Sequence, residues 1–493
     1  MSATASTQQT DIAVVGAGAA GLYAALCASR EGASVVLVSA TPLAQTASYW
    51  AQGGLAATLA ADDSAELHLA DTERAGRDLV RTAAAEILVA EAPARVRDLQ
   101  ALGVRFDADR FGHLALGLEG GHSVRRVVHA GGSATGRRVV RQLSALVAAD
   151  ERVAVLEGAR AKAIWCHDGR CRGLLCEDGR AIAAHAVVIA TGGAAALWSR
   201  TTNPPGSQGI GMLLAHAAGA ALADLELLQF HPTAVIGLPG REGFLVTEAI
   251  RGEGATLHDA AGERFVEELA PRDEVARAIH HLLQETGAKS VDLDMRAIDP
   301  AHFPNVVGAL REAGLDPVRE LIPVAPAAHY MMGGIVTDLS ARSTVDGLYA
   351  IGECSCTGLH GANRLASNSL SECFVFAARA VADALGSEAT TERSPAGTPL
   401  PPVVQDTPGP PLVERATREA LWSDAGVVRS PDGLERLRDD PHPLAKLIAA
   451  SALARTESRG AHLRSDHPER DPALDRRHAV TVGDAPPEWH TWA

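Results

Sequence analysis

A glycine-rich turn between an apolar strand and a helical stretch constrains the fold of this chain more than any other feature. Segment 11–15 is apolar after its first residue, and Gly16, Gly18 and Gly21 follow it as a G-x-G-x-x-G pattern, ahead of an Ala- and Leu-rich stretch and a second strand at 34–38. Glycines at these positions allow a tight turn, so that amides at the start of the helix can bind a pyrophosphate. The pattern predicts a βαβ unit that binds a dinucleotide, with a purely structural turn as the alternative.

The end of the second strand departs from the usual pattern of such units. An acidic residue commonly stands there and accepts the ribose hydroxyls, but this chain has Ser39 and Ala40. The departure weakens the prediction of a ribose contact and leaves the prediction of a pyrophosphate contact in place.

Length and charge narrow the possible functions. A chain of 493 residues is longer than one hydrophobic core usually supports, so two or three domains are expected. The 45 basic and 60 acidic residues give a formal net charge of −15, which disfavours binding to nucleic acid and to anionic membrane surfaces. No apolar run approaches the roughly 18 residues of a membrane span, and the polar first residues do not resemble a signal peptide, so a cytoplasmic location is expected.

The seven cysteines are expected to be reduced thiols. An odd number of cysteines spread over a long chain fits this state better than a disulfide framework. Cys354 with Cys356, and Cys166, Cys171 and Cys176, match neither a tetrahedral zinc pattern nor an iron–sulfur pattern. No metal site is therefore predicted.

Turn signals and apolar runs give a coarse order of elements. Asp168-Gly169 and Asp178-Gly179 predict hairpin turns, and buried strands are predicted at 186–193 and 347–352. A long helix is predicted after Ser367.

Several motifs along the chain coincide in order with those of one flavoprotein family. The sequence from Asp11 to about Leu385 resembles the family of succinate dehydrogenase, fumarate reductase and L-aspartate oxidase. Besides the glycine turn, the motifs are Ser48-Tyr49-Trp50-Ala51-Gln52-Gly53-Gly54, Ala190-Thr191-Gly192-Gly193, Gln229-Phe230-His231-Pro232-Thr233, Thr247-Glu248-Ala249-Ile250-Arg251-Gly252-Glu253-Gly254, Pro271-Arg272-Asp273, His329-Tyr330-Met331-Met332-Gly333-Gly334 and the run from Gly361 to Leu370.

The resemblance implies an α/β fold in which a Rossmann-like FAD-binding domain carries an inserted α+β capping domain and a small helical C-terminal domain. The expected FAD-binding domain is discontinuous, at 1–230 and 329–390. The capping or substrate domain is expected at 231–328, a linker rich in Pro, Ser, Thr and Gly at 391–411, and the helical domain at 412–493.

FAD is implied as a noncovalent cofactor. In the dehydrogenase and reductase members a histidine just before the Ala-Gln-Gly-Gly motif carries the flavin, and Ala47 stands at that position here. At Gln208 the family usually has an Asp, so Gln208 offers hydrogen bonds without a charge. The cofactor-binding residues implied by the resemblance are Gly16, Ala17, Gly18, Ala19, Ala20, Gly21, Ser39, Ala40, Ala47, Ser48, Tyr49, Trp50, Ala51, Gln52, Gly53, Gly54, Gln208, Glu353, Ser369 and Leu370.

A dicarboxylate substrate needs donors at both ends, and the resemblance implies His231, Thr247, His329, Arg364 and Ser367 as substrate-binding residues. Arg364 can bind a carboxylate in bidentate fashion. The alternative for each histidine is a surface or satisfied core residue, and for the serine of this set, as for Ser369, a helix N-cap.

Arg272 resembles the proton-transferring arginine of the family, with His231 and His329 as further catalytic candidates. Its high pKa makes an arginine an unusual base, so burial and a relay through Glu248 or Glu253 are expected to assist it. The alternative is a structural arginine at a helix start, paired with Asp273 or Glu274.

Glu119 bears on the choice of substrate. A buried carboxylate offsets the desolvation of an α-ammonium group, whereas it repels succinate or fumarate, so Glu119 favours an amino acid. The alternatives are a solvated loop residue, or neutralisation by His122, Arg125 or Arg126.

For the amino-acid branch of the family, the resemblance implies FAD-dependent oxidation of L-aspartate to iminoaspartate with oxygen or fumarate as electron acceptor. This is the first step of de novo NAD biosynthesis through quinolinate, with a quinolinate synthase as the expected next enzyme. A soluble fumarate reductase or succinate dehydrogenase flavoprotein subunit is the alternative, and a non-catalytic flavin-binding protein is disfavoured because the candidate site residues occur together.

Overall fold

The predicted βαβ unit forms the centre of a seven-stranded sheet. A computed structural model describes residues 7–42, 46–386 and 407–492. The strands are β1 Thr7–Val15, β2 Val35–Ser39, β3 Leu55–Ala56, β4 Leu116–Gly117, β5 Val127–Val128, β6 Val153–Glu157, β7 Ala161–His167, β8 Arg170–Cys176, β9 Ala181–Ile189, β10 Leu222–Ala223, β11 Leu228–Val235, β12 Thr256–His258, β13 Val291–Asp294, β14 Ile322–Met331, β15 Gly334–Val336, β16 Leu348–Ala350, β17 Ser355–Cys356, β18 Arg477–Thr481 and β19 Glu488–Thr491.

The helices surround four sheets. They are α1 Ala19–Arg30, α2 Ala65–Ala75, α3 Thr82–Ala101, α4 Thr135–Ala149, α5 Ile210–Ala217, α6 Glu248–Gly252, α7 Arg272–Thr286, α8 Pro304–Glu312, α9 Asn368–Gly386, α10 Arg415–Asp424, α11 Pro431–Leu437 and α12 Pro443–Ala454. None of the helices in the described part of the chain combines the length and apolar character needed to cross a membrane.

The main sheet is covered by helices on both faces. Its order is β6-β2-β1-β9-β8-β7, with β16 also beside β9, and the central strands run parallel. Ile12 and Val14 face a core that includes α1, α3, α4 and α9, while Ala13 and Val15 face a core that includes α5 and α10 to α12. A parallel sheet buried on both faces is typical of doubly wound folds, so the predicted α/β class and Rossmann-like domain are confirmed.

The glycine turn lies where the backbone is most crowded. Gly16 has φ +112°, and a Cβ there would lie 2.3 Å from the carbonyl oxygen of Ala190. A Cβ on Gly21 would lie 1.9 Å from the carbonyl oxygen of Gly16. Since neither position has room for a side chain, both glycines are required for α1 to start directly behind β1.

The inserted segment has its own sheet and its own core. Strands β11, β14, β13 and β12 form a four-stranded antiparallel sheet. A separate hydrophobic cluster lies entirely between Val235 and Val324 and includes residues of α6, α7 and α8. An independent core over this range matches what an inserted domain requires.

The C-terminal part contains more than helices. Helices α10 to α12 are followed by β18 and β19, and β18 pairs with β10 in a five-stranded sheet ordered β17-β15-β10-β18-β19. Only helices were predicted here, because both strands are short and β18 pairs with β10, which lies far along the chain. Most of the predicted linker at 391–411 lies outside the described residues.

Local predictions were accurate in type and less so in extent. The Asp168-Gly169 hairpin joins β7 to β8, with both residues at positive φ. The strand predicted at 186–193 begins earlier, at Ala181, and ends at Ile189, because the chain then turns beneath Gly16. The long helix predicted after Ser367 is α9.

Helix α4 lies directly on the segment 47–51, and Gly136 makes this approach possible. Its amide donates to the carbonyl oxygen of Ala51 at 3.0 Å, and a Cβ at this glycine would lie 1.9 Å from the carbonyl oxygen of Ser48. We expect Gly136→Ala to lower the free energy of unfolding by about 1–3 kcal/mol through overpacking. Denaturant unfolding measures this.

The matched control is Gly308→Ala in α8, where nothing in the described residues lies within 4 Å of the added Cβ. The gain in helix propensity should stabilise this variant by about 0.5–1 kcal/mol. Equal effects of the two substitutions would contradict the close packing of α4.

Candidate cofactor and substrate site

A cavity of about 1100 Å³ lies between the main sheet and the inserted domain. The site residues predicted from the sequence line it, with two exceptions: Gly21 is packed behind the turn, and Glu253, the other relay considered for Arg272, lies on the surface near Arg125. Parts of the chain that are far apart in sequence meet in this cavity. They are the glycine turn, the segment 46–54, and His231, Arg272 and Arg364. A cofactor and a small substrate can therefore meet in one cavity.

The end of the cavity at the glycine turn is formed by backbone donors and small side chains. The Ala19 amide, at the N-terminus of α1, donates to Ser48 Oγ at 3.1 Å. A Cβ on Gly18 would lie 3.2 Å from the same hydroxyl, so the turn and the segment 46–54 approach closely. This arrangement suits a pyrophosphate placed on a helix N-terminus.

Two polar side chains on the cavity wall support a cofactor at this position. Thr46 Oγ1 and Gln52 Oε1 are buried and have no hydrogen-bond partner among the residues that the structure describes. Buried polar atoms are rarely left unpaired, so these oxygens fit a polar group within the cavity. The amide nitrogen of Gln52 donates to the carbonyl oxygen of Leu245 at 2.7 Å, which ties the segment to the inserted domain.

Gln208 lines the cavity, and its amide group is also engaged by the protein. Its Nε2 donates to the carbonyl oxygen of Pro205 at 2.7 Å, and its Oε1 accepts from the Val413 amide at 3.0 Å. Gln208 thus connects the cavity wall to the C-terminal part of the chain.

The two candidate histidines lie side by side in the cavity. The rings of His231 and His329 are 5.0 Å apart between centroids. Nδ1 of His231 accepts from the Thr233 amide at 3.2 Å, which places the ring proton of the neutral form on Nε2. Thr202 Oγ1 contacts Nδ1 of His329 at 2.8 Å.

Both histidines are held neutral. Burial, followed by the nearby guanidinium groups, holds the pKa of His231 and of His329 well below the usual range. Each ring therefore offers a neutral hydrogen-bond donor to an anionic ligand. The side chain of Thr247 makes no capping bond to helix α6, although the residue is the N-cap, so its hydroxyl is available to the cavity.

Arg272 and Arg364 share one acceptor. Oε1 of Gln229 accepts from Nη1 of Arg272 at 3.2 Å and from Nη2 of Arg364 at 3.1 Å. The nitrogen of Gln229 donates to Asn363 Oδ1 and to the Arg364 carbonyl oxygen, both at 2.8 Å, which fixes the orientation of the amide. Two cations are thereby held close together across one neutral group.

Arg364 has no acidic partner within 4.0 Å in the described chain. It donates to Ser369 Oγ at 2.7 Å, and its guanidinium lies 4.4 Å from the centre of the Tyr330 ring. Burial and repulsion from Arg272 lower the pKa of Arg364 to about 10. A buried, fully charged guanidinium without a carboxylate is a binding site for one.

Arg272 is paired, and not with the residues that the structural alternative named. Its Nε donates to Glu248 Oε2 at 2.6 Å, whereas Asp273 and Glu274 both bind Arg77. Burial alone raises the pKa of Glu248, but the guanidinium groups of Arg272 and Arg251 lower it overall. An ionised carboxylate thus lies beside the candidate proton-transferring group.

Glu119 is buried on the cavity wall, with 2% of its surface exposed, and is therefore not a solvated loop residue. Ser367 Oγ donates to its Oε2 at 2.6 Å, and His129 Nε2 lies 3.3 Å from its Oε1. Burial by itself raises the pKa of Glu119, but His129, the Ser367 hydroxyl and Arg272 together lower it to about 2. The cavity thus contains a fixed anion.

His122, Arg125 and Arg126, which were considered as alternative counter-charges for Glu119, contact other groups. Arg126 forms ion pairs with Asp63 and Asp71, and Arg125 lies 3.9 Å from Glu253 on the surface. Nε2 of His122 lies 2.9 Å from the carbonyl oxygen of Ala366. That alternative is therefore not what the structure has, because the basic side chain in contact with Glu119 is His129, ten residues along the chain.

Ser367 serves Glu119 and not the start of α9. It adopts φ +61°, and its hydroxyl accepts from the Gly54 amide at 3.1 Å while donating to Glu119. The hydroxyl of Ser369 is occupied by Arg364.

Sequence reasoning missed His129, Gln229 and Tyr330 as parts of the site. Gln229 stands two residues before His231 in a strand, and this spacing was a usable signal because alternate residues share a face. His129 had no such signal, since its relation to Glu119 depends on the pairing of β4 with β5.

Comparisons with known proteins agree with this geometry. A family model described as an FAD binding domain matches residues 11–370, and one described as a fumarate reductase flavoprotein C-terminus matches residues 439–488. The chain is 44% identical to L-aspartate oxidase of Caulobacter vibrioides, over 96% of each chain. It is 43% identical to that of Streptomyces coelicolor, over 95% of this chain and 91% of the relative.

Solved structures show the same architecture. A FrdA mutant of E. coli quinol fumarate reductase is similar, with a TM-score of 0.86 and 30% identity over 99% of this chain and 97% of the other. Sdh1 of Mycobacterium smegmatis is similar, with a TM-score of 0.80 and 29% identity over 99% and 94%.

The pH dependence of stability tests the burial of Glu353 on the cavity wall. Burial raises the pKa of this carboxyl to about 7 from an ordinary value near 4.5. The stability contributed by the protonated group is therefore complete below about pH 4.5 and is lost as the pH rises through 7. We expect the FAD-free parent to lose up to about 3 kcal/mol relative to Glu353→Gln between pH 4.5 and 8, measured by denaturant unfolding.

The control is Glu312→Gln, at an exposed position on α8. Its difference from the parent should change little over the same pH range. A parent and a Glu353→Gln variant with parallel pH profiles would contradict the raised pKa.

Proposed function

The chain belongs to the L-aspartate oxidase family of FAD-dependent oxidoreductases, and from that membership and the geometry of the cavity we propose that it oxidises L-aspartate to iminoaspartate. This reaction is the first step of de novo NAD biosynthesis through quinolinate. The observation that carries the choice of substrate is the ionised Glu119, buried on the wall of a cavity whose other donors suit carboxylates.

The two carboxylates of the substrate are bound by different groups. Arg364 binds one of them in place of the acidic partner that it otherwise lacks, and the Tyr330 ring keeps its guanidinium in place. The neutral rings of His231 and His329 donate to carboxylate oxygens, with the Thr247 hydroxyl as a further donor. Neutral donors bind an anion without repelling the α-ammonium group.

The charge of the site matches that of aspartate. The buried cations named above are Arg251, Arg272 and Arg364, and the buried anions are Glu119 and Glu248, which gives a net of one positive charge while Glu353 and His129 are both neutral. L-Aspartate carries a net charge of minus one and leaves this group neutral, whereas succinate leaves it negative. In a low-dielectric cavity this difference favours the amino acid.

The protein holds FAD through the segment 46–54, the glycine turn, Glu353 and the N-terminus of α9. Ala47 has no nucleophile, so the cofactor is bound noncovalently. When bound, FAD supplies the two-electron acceptor for the hydrogen and electron pair that leave the substrate Cα. The α9 dipole, positive at this end, stabilises negative charge on whatever it faces.

Arg272 and Glu248 handle the proton. Oxidation of the amine releases one proton besides the hydrogen removed from Cα. Nε of Arg272 donates to Glu248 Oε2 at 2.6 Å. This pair can therefore accept the released proton and pass it away from the cavity. Arg251, 3.6 Å from the other Glu248 oxygen, keeps the carboxylate ionised.

Oxygen or fumarate serves as the final electron acceptor. Fumarate is a dicarboxylate and meets the same carboxylate-binding groups as the substrate. Iminoaspartate is unstable in water, so an enzyme that consumes it, such as a quinolinate synthase, is the expected successor. We place the reaction in the cytoplasm, where the seven free cysteines stay reduced.

Anaerobic mixing of the purified holoenzyme with L-aspartate and, separately, with succinate tests the function. We expect L-aspartate to bleach the visible absorbance of the flavin and succinate to leave it unchanged, because only the amine offsets Glu119. Bleaching by succinate alone would support a fumarate reductase or succinate dehydrogenase flavoprotein. An unchanged spectrum with both would refute the proposal.

Arg272→Leu tests the proton-handling pair. We expect the variant to retain FAD and to slow flavin reduction by L-aspartate about 10²–10⁴-fold, the usual contribution of a general acid–base group. The measurement is the rate of anaerobic bleaching. Because removal of Arg272 takes from the buried Glu248 its closest counter-charge and so destabilises the fold, Arg272→Lys, which keeps the charge, should be measured beside it.

Arg311→Leu on α8 controls for the substitution itself, since Arg311 is half exposed and pairs with Asp316. A rate of reduction at the parental level in a folded, FAD-loaded Arg272→Leu variant would exclude the role of Arg272.

A further inference from the structure

His129 lies behind Glu119, on the side away from the cavity. Strands β3, β5 and β4 form a small sheet, and the chain continues from β4 to Glu119 and from β5 to His129. Gly117 pairs with Val127 across the two strands, and a Cβ on Gly117 would lie 2.6 Å from Cε1 of the His129 ring. The absence of a side chain there leaves room for the imidazole against the carboxylate.

The two residues differ in what they can reach. Glu119 lines the cavity and is 2% exposed, while His129 does not line it and its side chain is 13% exposed. His129 Nε2 lies 3.3 Å from Glu119 Oε1, and Ser367 Oγ donates to Oε2. His129 therefore contacts water and the carboxylate but cannot touch a ligand.

We propose that His129 is a positioning residue that sets the preference for amine-bearing over amine-free dicarboxylates through its own proton: binding of an α-ammonium group at Glu119 releases a proton from His129. The inference rests on the proposed function, in which Glu119 binds the substrate amine. It adds that protonated His129 neutralises the charge of Glu119 before the substrate binds and loses its proton when the substrate ammonium group takes over this role.

The sign follows from the charges. With His129 protonated, Glu119 is already compensated, and an incoming ammonium group meets a second cation across one carboxylate. An amine-bearing ligand therefore binds more weakly at low pH and more tightly once His129 is neutral. An amine-free dicarboxylate shows the opposite trend, because an uncompensated Glu119 repels it.

Other titratable groups face this pair from the neighbouring elements. From the inserted domain these are Arg272 and Glu248, and from the turn before α9 Arg364. From the loop of Glu119 itself there is His122, and from the segment before β4 Asp107, whose carboxylate accepts from the Gly131 and Gly132 amides near the backbone of His129. Elsewhere on the cavity wall, the pKa of Glu353 is raised to about 7, which lies within the pH range of the experiment below. Since Glu353 does not depend on residue 129, a variant at 129 separates the two.

The experiment compares two ligands that differ only in the amine and that cannot be oxidised. α-Methyl-L-aspartate has no hydrogen on Cα, and 2,2-dimethylsuccinate replaces its ammonium group with a methyl group. Their Kd values for the holoenzyme are measured from flavin absorbance between pH 5.5 and 8. We expect the ratio of the Kd of dimethylsuccinate to that of methylaspartate to rise about tenfold over this range, which corresponds to about one pKa unit of interaction between the two cations.

The variant is His129→Gln, which keeps an N–H donor near the Nε2 position and removes the titration. The part of the rise that is due to residue 129 should then disappear, so the ratio should change less with pH than in the parent, and what remains belongs to Glu353 and to the second carboxyl of dimethylsuccinate. His113→Gln is the matched control, because the side chain of His113 is exposed and its Nδ1 lies 3.4 Å from the Asp109 carboxylate. The control should retain the parental profile.

A second measurement needs no variant. Calorimetry of methylaspartate binding at pH 6.5, in two buffers of different ionisation enthalpy, should show net proton release, and dimethylsuccinate should show none or uptake. A parental pH profile in His129→Gln, or no proton release from the parent, would overturn the role of His129. Failure of methylaspartate to bind the parent at any pH would instead overturn the proposed function.

Discussion

Two buried guanidinium groups that share one neutral acceptor govern the site. Arg272 and Arg364 both donate to Gln229 Oε1, and only the first has a carboxylate beside it. Like charges at this separation repel, so rigid elements must hold them: Gln229 is fixed in β11, Arg272 begins α7, and Arg364 lies just before α9. This pairing of cations is electrostatically unfavourable by itself, and a bound carboxylate relieves the repulsion. The repulsion lowers the stability of the folded protein, and its relief strengthens the binding of the carboxylate ligand.

The same arrangement joins the cofactor side of the cavity to the inserted domain. Gln52 donates to the Leu245 carbonyl oxygen, and Arg77 binds both Asp273 and Glu274 in the first turn of α7. The negative charges of Asp273 and Glu274 also interact favourably with the dipole at the N-terminus of α7, whereas the positive charge of Arg272 interacts unfavourably with it. A movement of the inserted domain therefore cannot occur without changing contacts on both sides of the cavity.

Sequence reasoning predicted the parts that depend on local pattern. The glycine turn, the Asp168-Gly169 hairpin and α9 follow from backbone requirements that neighbouring residues reveal. The motif residues converge on one cavity because the family resemblance carries their spatial relation. His129 and strand β18 could not be predicted, since each depends on a partner that the fold supplies: Glu119 across β4 and β5, and β10 more than 250 residues earlier.

Strand β18 has a consequence for how the chain is made. Glu226, next to β10, is fully buried and is paired with Arg455, while His478 on β18 binds Asp224. During synthesis from the N-terminus these two acids have no counter-charge until almost the whole chain has left the ribosome. The centre of the molecule therefore closes last, through contacts of very high sequence separation, and folding should be slow and dependent on protection of the unfinished sheet.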